Sequence, residues 1–282
     1  MPVSLSQHPC FGEKAHSRYG RIHLAVAPKC NLRCGYCDRK YDCPNESRPG
    51  VASRIISPEE AVLATGRALK GEPRLRVAGI AGPGEPLANP ETFETLALLR
   101  RAFPQLMLCV STNGLLLPEA LERLHSLGLG ALTVTVNTLR PQTAARIYGE
   151  AEELLPGEGG LSGFLARQRQ GIAAAAGLGI AVKINTVLIP GVNEEETEEI
   201  AGLAAELGAS IMNIMPLIPQ GAFGSLPRPS RELLAACRRR AGRFLPQLTC
   251  CVQCRADACG VPGEDLGKAW SAGDRPCREA YP

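Results

Sequence analysis

From about residue 22 to residue 246 of this 282-residue chain, short apolar runs alternate with stretches of helical period. That rhythm constrains the fold most strongly, because strands separated by helices close most readily into a parallel sheet with helical crossovers. Strands are expected at residues 21–26, 74–80, 106–111, 131–137, 180–188 and 210–215. Helices are expected at 57–70, 90–103, 117–127, 161–176, 193–207 and 230–244. The second element is the best signed: Ser57 can cap it, Pro58 suits its first turn, and Glu60 completes a capping box. The expected class is α/β, a partial (β/α)6 TIM-like barrel with a splayed parallel sheet.

Three divisions are expected: an extension over 1–20, a core over 21–246 and a second extension over 247–282. Both extensions, and the stretch 28–56, are polar, punctuated by Gly and Pro, and rich in cysteine. Loops that long within a domain are functional or disordered as a rule, and cysteine favours loops ordered by metal. A formal charge of +3 and the lack of a basic run with interleaved aromatics argue against nucleic acid. No apolar stretch reaches membrane length, and residues 1–10 lack the apolar region of a signal peptide, so a cytoplasmic location is expected.

Twelve cysteines are the abnormal number. A chain with this much core does not need disulfide staples, and in a reducing compartment thiols are better read as metal ligands or catalytic groups. Lys29-Cys30-Asn31-Leu32-Arg33-Cys34-Gly35-Tyr36-Cys37 gives a CxxxCxxC spacing just after the first strand. Three thiolates on one loop can hold three irons of a [4Fe-4S] cubane and leave the fourth open to a small chelating molecule. The same thiols with a fourth Cys or His could instead close a tetrahedral zinc knuckle.

The companions of this loop favour the cluster. CxxxCΦxC, with Tyr36 as the aromatic Φ, resembles the signature of the radical S-adenosylmethionine (SAM) superfamily, and the resemblance covers roughly residues 21–217. It implies that Cys30, Cys34 and Cys37 hold the catalytic cluster and that Tyr36 packs near adenine. Ala81-Gly82-Pro83-Gly84-Glu85-Pro86 resembles the superfamily's GGE motif, which implies that Gly82, Gly84 and Glu85 contact the SAM amino group. Ser111-Thr112-Asn113-Gly114 looks like its ribose and carboxylate contacts, Ser111 and Asn113. Ile189-Pro190-Gly191-Val192-Asn193 is similar to its adenine-side region, with Ile189 as the contact. All fall at the carboxyl ends of expected strands, where α/β folds place ligands.

Nine cysteines remain. The strings His8-Pro9-Cys10-Phe11, Tyr41-Asp42-Cys43-Pro44 and Cys251-Val252-Gln253-Cys254-Arg255-Ala256-Asp257 join with Asn213-Ile214-Met215-Pro216 in a pattern. It resembles the radical SAM maturases of the nitrogenase iron–molybdenum cofactor over nearly the whole chain, in their minimal form without an appended carrier domain. That resemblance implies nitrogen fixation as the setting. It implies fusion of two [4Fe-4S] substrate clusters into an eight-iron precursor around a carbide drawn from a SAM methyl group. The implied partners are an iron–sulfur cluster donor, an electron donor, and the scaffold and carrier proteins of nitrogenase assembly. Cys10, Cys43 and Cys109 are implied ligands of one substrate cluster, with His8 completing the set and His16 and His23 as alternatives. Cys251 and Cys254 are implied ligands of the other. Arg255 and Asp257 are read as tuning groups beside the latter. Cys237 and Cys277 read as ordinary free thiols, Cys250 and Cys259 as structural, and His125 as a surface residue. Two other readings compete: a radical SAM peptide-modifying maturase with auxiliary clusters, and a non-enzymatic iron–sulfur scaffold. The first leaves the HPCF and CxxCRADA strings unexplained; the second gives the loops at 82–86 and 111–114 no purpose.

Overall fold

A computed structural model describes residues 3–149 and 159–265. A short helix, α1 (Glu13–His16), precedes β1 (Gly20–His23). Then come α2 (Pro58–Gly71), β2 (Leu75–Ile80), α3 (Pro90–Ala102), β3 (Met107–Thr112), α4 (Leu117–Ser126) and β4 (Leu129–Thr135). The chain continues through α5 (Pro141–Tyr148), α6 (Gly160–Gly177), β5 (Ala181–Leu188), α7 (Thr197–Glu206), β6 (Ile211–Pro216) and α8 (Arg231–Ala241). Two short strands follow, β7 (Cys259–Val261) and β8 (Glu264–Asp265).

Strands β1 to β6 lie side by side in chain order, each parallel to the next, which is the partial (β/α)6 barrel. Side chains alternate along each strand. Leu108 and Val110, Leu132 and Val134, Val182 and Ile184, and Met212 and Ile214 face outward into one apolar core shared with the helices. The residues between them face the barrel interior, and several are polar: Cys109, Ser111, Thr133, Thr135, Lys183, Asn185 and Asn213. Register aligns these in rows, with Ser111 opposite Thr133, Thr133 opposite Lys183, and Asn185 opposite Asn213.

Most expected elements form within a residue or two of their reading. The capping box of α2 is present in both directions: Ser57 Oγ accepts the Glu60 N–H at 3.2 Å and the Glu60 carboxylate accepts the Ser57 N–H at 2.8 Å. Three differences stand out, the first two with a clear physical cause. The first strand ends at His23 rather than residue 26, because the His23 N–H turns to the Ala258 carbonyl while Leu24 still donates to Gly79. The helix expected over 193–207 is preceded by a 3-10 turn (Glu194–Glu196), since the Asn193 side chain is spent on strand ends: it donates to the Asn137 and Val187 carbonyls and accepts the Ile189 N–H. Helix α5 fills a stretch where no helix was expected.

The fourth difference organises the molecule. Strand β7 adds antiparallel to the free edge of β1, pairing Ile22 with Cys259 and Arg21 with Gly260. Its clamp is Arg21, 1% exposed, whose guanidinium donates to the Gly260 carbonyl (2.7 Å) and the Cys254 sulfur (3.0 Å) and pairs with Asp265 (2.6 Å). No helix among the described residues is long and apolar enough to cross a membrane. Replacing Arg21 with Met removes three charge-assisted contacts but leaves a half-exposed Asp265 that water can solvate. It is expected to cost about 2 kcal/mol in thermal unfolding, and to open residues 247–265 to limited proteolysis before the barrel melts.

Candidate functional site

The carboxyl ends of the strands open into a cavity of about 290 Å³. Segments from three parts of the chain wall it: the loop after β1, the stretch before it, and the stretch after α8. Cys10, Cys30, Cys34, Cys37, Cys109, Cys251 and Cys254 all line this one space.

The loop bearing Cys30, Cys34 and Cys37 is held by backbone at both ends. The Gly84 N–H donates to the Ala27 carbonyl (2.6 Å) and the Glu85 N–H to the Lys29 carbonyl (2.8 Å). Asn89 grips the Lys29 peptide from both sides. A Cβ on Gly84 would collide with the Lys29 carbonyl and stand 2.8 Å from that of Ala27, so this position must be glycine. At the far end the Gly35 N–H donates to the Ile147 carbonyl, and the Phe223 ring lies where a Gly35 Cβ would fall. The Gln220 amide donates to the Tyr36 carbonyl, while the Tyr36 hydroxyl accepts from Asn137 at 2.8 Å.

Glu85 is buried and its carboxylate accepts from Thr112 Oγ1 (2.5 Å), the Asn113 N–H (2.7 Å) and the Leu87 N–H (3.0 Å). Asn113 in turn donates to Asn31 in the cysteine loop. The acidic side chain therefore ties the second loop to the third strand and, through Asn113, to the cysteine loop. Burial raises its pKa to about 7, and the three donors offset only part of that penalty. Ser111 stands on the cavity wall. Gly82 and Ile189 are not among the lining residues: Gly82 is a turn residue at φ +131°, and Ile189 is buried in the apolar cluster behind Tyr36.

On the other side of the cavity stand His8, Cys10, His23, Cys109, Lys183 and Arg21, with Cys251 and Cys254 beside them. Burial is the main influence holding His8 near a pKa of 3 and His23 near 4, with Lys183 and Arg21 respectively adding charge repulsion, so both rings are neutral at pH 7. Their tautomers differ. His8 Nδ1 accepts the Cys10 N–H (3.0 Å), which puts the ring proton on Nε2, a buried atom without a partner. His23 Nδ1 faces the Arg255 carbonyl (2.9 Å) and must carry the proton, which leaves the Nε2 lone pair free. His16 has the same tautomer against the Pro9 carbonyl, away from the cavity wall. His23 is thus the wall imidazole suited to metal, its other nitrogen fixed by a carbonyl as ligating histidines usually are. The expected His8 lines the same wall but presents an N–H to it, and residue spacing carries no information about either ring's tautomer.

Cys10 lies within electrostatic reach of both Cys109 and Cys254, so it stands between the two expected ligand sets. Burial holds the Cys109 thiol up at about 12 and Cys254 at about 11, the latter moderated by the Arg21 charge. Cys43 is not among the lining residues; its carbonyl accepts from Arg255. Arg255 also pairs with Asp257, which accepts the Ser53 N–H at 2.6 Å, so this pair stitches the 251–257 turn to residues 43–53. Gln253, between Cys251 and Cys254, adopts φ +52°, an unusual conformation for a non-glycine residue. Cys237 is buried in α8 and Cys259 in β7, Cys250 is half-buried beside the turn, and His125 is exposed. Cys277 lies outside the described residues.

Among the described residues no three His, Cys, Asp or Glu side chains converge as a single metal ion would require. The thiols are instead spread around a cavity, a disposition in which each can reach a different iron of a cubane. The unpartnered buried nitrogen of His8 and the unpartnered amide oxygen of Asn213 also mark the cavity as built for a polar occupant.

Such a barrel, with this cysteine loop at its mouth, is the radical SAM architecture. The family model of the radical SAM superfamily matches residues 24–204, and the chain belongs to it. Streptococcus suis SuiB superposes with a TM-score of 0.60 at 14% identity, over 83% of this chain and 51% of that one. A radical SAM methyltransferase from Sphaerobacter thermophilus gives 0.54 at 22% identity, over 82% and 64%. The FeMo cofactor biosynthesis protein NifB of Klebsiella pneumoniae is 46% identical over 98% of this chain and 60% of its own length. That of Methanocaldococcus infernus is 41% identical over 91% and 86%. Within the superfamily, the chain belongs to the NifB family. It spans between half and two thirds of the Klebsiella, Chlorobaculum and Azotobacter relatives.

The Glu85 carboxyl sets a pH dependence. Its folded pKa of about 7 exceeds the ordinary 4.5, so between those values the folded state holds a proton that the unfolded state has lost. Its contribution is fully present below pH 4.5 and falls away as pH rises through 7, by roughly 3 kcal/mol in all. Chemical denaturation of the unloaded protein should show this decline, and Glu85→Gln should flatten it.

Proposed function

We propose that the protein is a radical SAM maturase of nitrogenase cofactor assembly, which fuses two [4Fe-4S] substrate clusters into an eight-iron, carbide-containing precursor. The observation that carries this reading is the single cavity lined by thiols from three separate segments. SAM cleavage alone needs only Cys30, Cys34 and Cys37; the remaining wall offers Cys10, Cys109, Cys251, Cys254 and His23. The NifB name of the relatives supplies the setting.

When bound to Cys30, Cys34 and Cys37, a [4Fe-4S] cluster supplies the electron that cleaves SAM to a 5′-deoxyadenosyl radical. The chain's residues position the rest. The Glu85 carboxylate presents negative charge to the SAM amino group, and SAM's arrival lowers its pKa. Ser111 and Asn113 face the ribose and carboxylate, and Tyr36, held by Asn137, flanks the adenine. Gly82 and Ile189 act from behind the wall by shaping these loops. One substrate cluster sits on Cys109 and His23, with Cys10 beside it and Cys43 recruited from the adjoining loop. The other sits on Cys251 and Cys254, where Arg255 and Asp257 brace the turn. One SAM donates its methyl group to a substrate sulfide, and the radical from another then abstracts hydrogen from that carbon. Gripping all the units in one cavity makes these steps effectively intramolecular. Residues 1–20 and 247–282 serve as ligand-bearing extensions of the 21–246 core. An iron–sulfur donor, an electron donor and a scaffold or carrier protein complete the cycle, in the cytoplasm.

The test is anaerobic turnover with product analysis. The reconstituted protein should convert SAM to both 5′-deoxyadenosine and S-adenosylhomocysteine and form an eight-iron product. Replacing Cys34 with Ala should abolish 5′-deoxyadenosine. Replacing Cys254 with Ala should leave slow SAM cleavage while eliminating the eight-iron product. Turnover without S-adenosylhomocysteine would contradict methyl donation, and normal product from the Cys254 variant would contradict the second ligand set.

A further inference from the structure

Lys183 belongs to none of the motifs above. It lies in β5, opposite Thr133 of β4 and Ile211 of β6. Its strand neighbours Val182 and Ile184 pack outward into the apolar core, which turns Lys183 inward with Asn185 and Val187 onto the cavity wall. It is 5% exposed and forms no hydrogen bond or salt bridge among the described residues. Glu85 is the one carboxylate among the lining residues, and its oxygens are already engaged by Thr112, Asn113 and Leu87. The groups that feel the lysine's charge are His8, His23 and Cys109.

An ammonium that faces an enclosed cavity with no carboxylate partner is free to pair with an anionic occupant, and such a pair is stronger there than in bulk water. A protonated lysine has three N–H donors and no lone pair, so it cannot itself ligate iron. It suits an anion rich in hydrogen-bond acceptors. The sulfides of an iron–sulfur cluster are such acceptors, and each electron added makes the cluster more negative. We propose that Lys183 is a substrate-binding residue, whose ammonium seats the iron–sulfur unit held on the His23 and Cys109 side of the cavity through N–H···S hydrogen bonds and opposite charge. This inference rests on the proposed function, since it requires a substrate cluster at that wall. It gives the two proposed substrate units matching chemistry: Arg21 donates to the Cys254 sulfur beside one, and Lys183 faces the other.

The experiment uses the full chain with Cys30, Cys34 and Cys37 all replaced by Ala, so that bound iron reports on the substrate units alone. Lys183, K183R and K183M forms are reconstituted anaerobically and compared for iron and sulfide content, paramagnetic resonance spectrum and midpoint potential. With Lys183 intact, two cubanes' worth of iron is expected. K183M should lose one cubane's worth, or retain it with a lower midpoint potential, because a missing positive charge and hydrogen bond make reduction harder. K183R should restore iron and raise the potential again. Before reconstitution K183M should melt together with its parent, since in the empty cavity the ammonium has no partner to lose. That outcome separates a binding role from a structural one. Unchanged iron, spectrum and potential in K183M would overturn the proposal, as would a K183M chain that melts earlier. No iron in the parent with Lys183 intact would overturn the proposed function and this inference with it.

Discussion

The Arg21 guanidinium is enclosed at the edge of a six-stranded half-barrel, where it reaches the Gly260 carbonyl, the Cys254 sulfur and the Asp265 carboxylate. An open parallel sheet leaves the outer edge of its first strand unpaired, and in this fold β7 takes that edge. The pairing brings Cys251 and Cys254 over the strand ends, and the Arg255 and Asp257 pair fastens the same turn to residues 43–53. The placement of Cys251 and Cys254 therefore depends on one short antiparallel pairing and the charge buried beneath it.

The interior of the barrel is polar for the same reason that the cavity can be functional. On β3, β4 and β5 the residues between the outward apolar ones form a ring of donors and acceptors, including Cys109, Ser111, Thr133, Lys183 and Asn185. An interior of this kind resists collapse onto itself and needs an occupant to satisfy it. Neutral imidazoles, thiols held in their protonated form by burial, and two buried cations describe a wall prepared for an anionic, sulfur-rich guest. Ligation then couples to proton release, as it does wherever thiols bind metal.

Much of this was legible in the chain. The period-2 and period-3.6 patterns located all six barrel strands and the helices α2, α3, α4, α6, α7 and α8, but not α5, because each apolar side chain of a long amphipathic element had one face to choose. The capping box at Ser57 and Glu60 marked a helix start to the residue. The CxxxCxxC loop and its companions named the superfamily, and PGEP and STNG proved to be one hydrogen-bonded knot around Glu85. Other features could not be read. Strand β7 has only three residues and pairs with a strand more than two hundred residues earlier, a long-range contact without local signature. The choice between His8 and His23 turns on which ring nitrogen meets a carbonyl, which spacing cannot encode. Lys183 and Arg21 carry a visible signal: each is a charged residue at an inward position of a barrel strand, beside an outward-facing Ile.

The central claim is that three segments converge to hold all the iron of the reaction in a single chamber at the barrel mouth. Anomalous diffraction at the iron edge, from crystals of the anaerobically reconstituted protein, tests it most directly. The account predicts iron in one contiguous region: one centre against Cys30, Cys34 and Cys37, another against Cys109 and His23, and a third against Cys251 and Cys254. Iron on the opposite face of the barrel, or centres separated by packed protein, would contradict it.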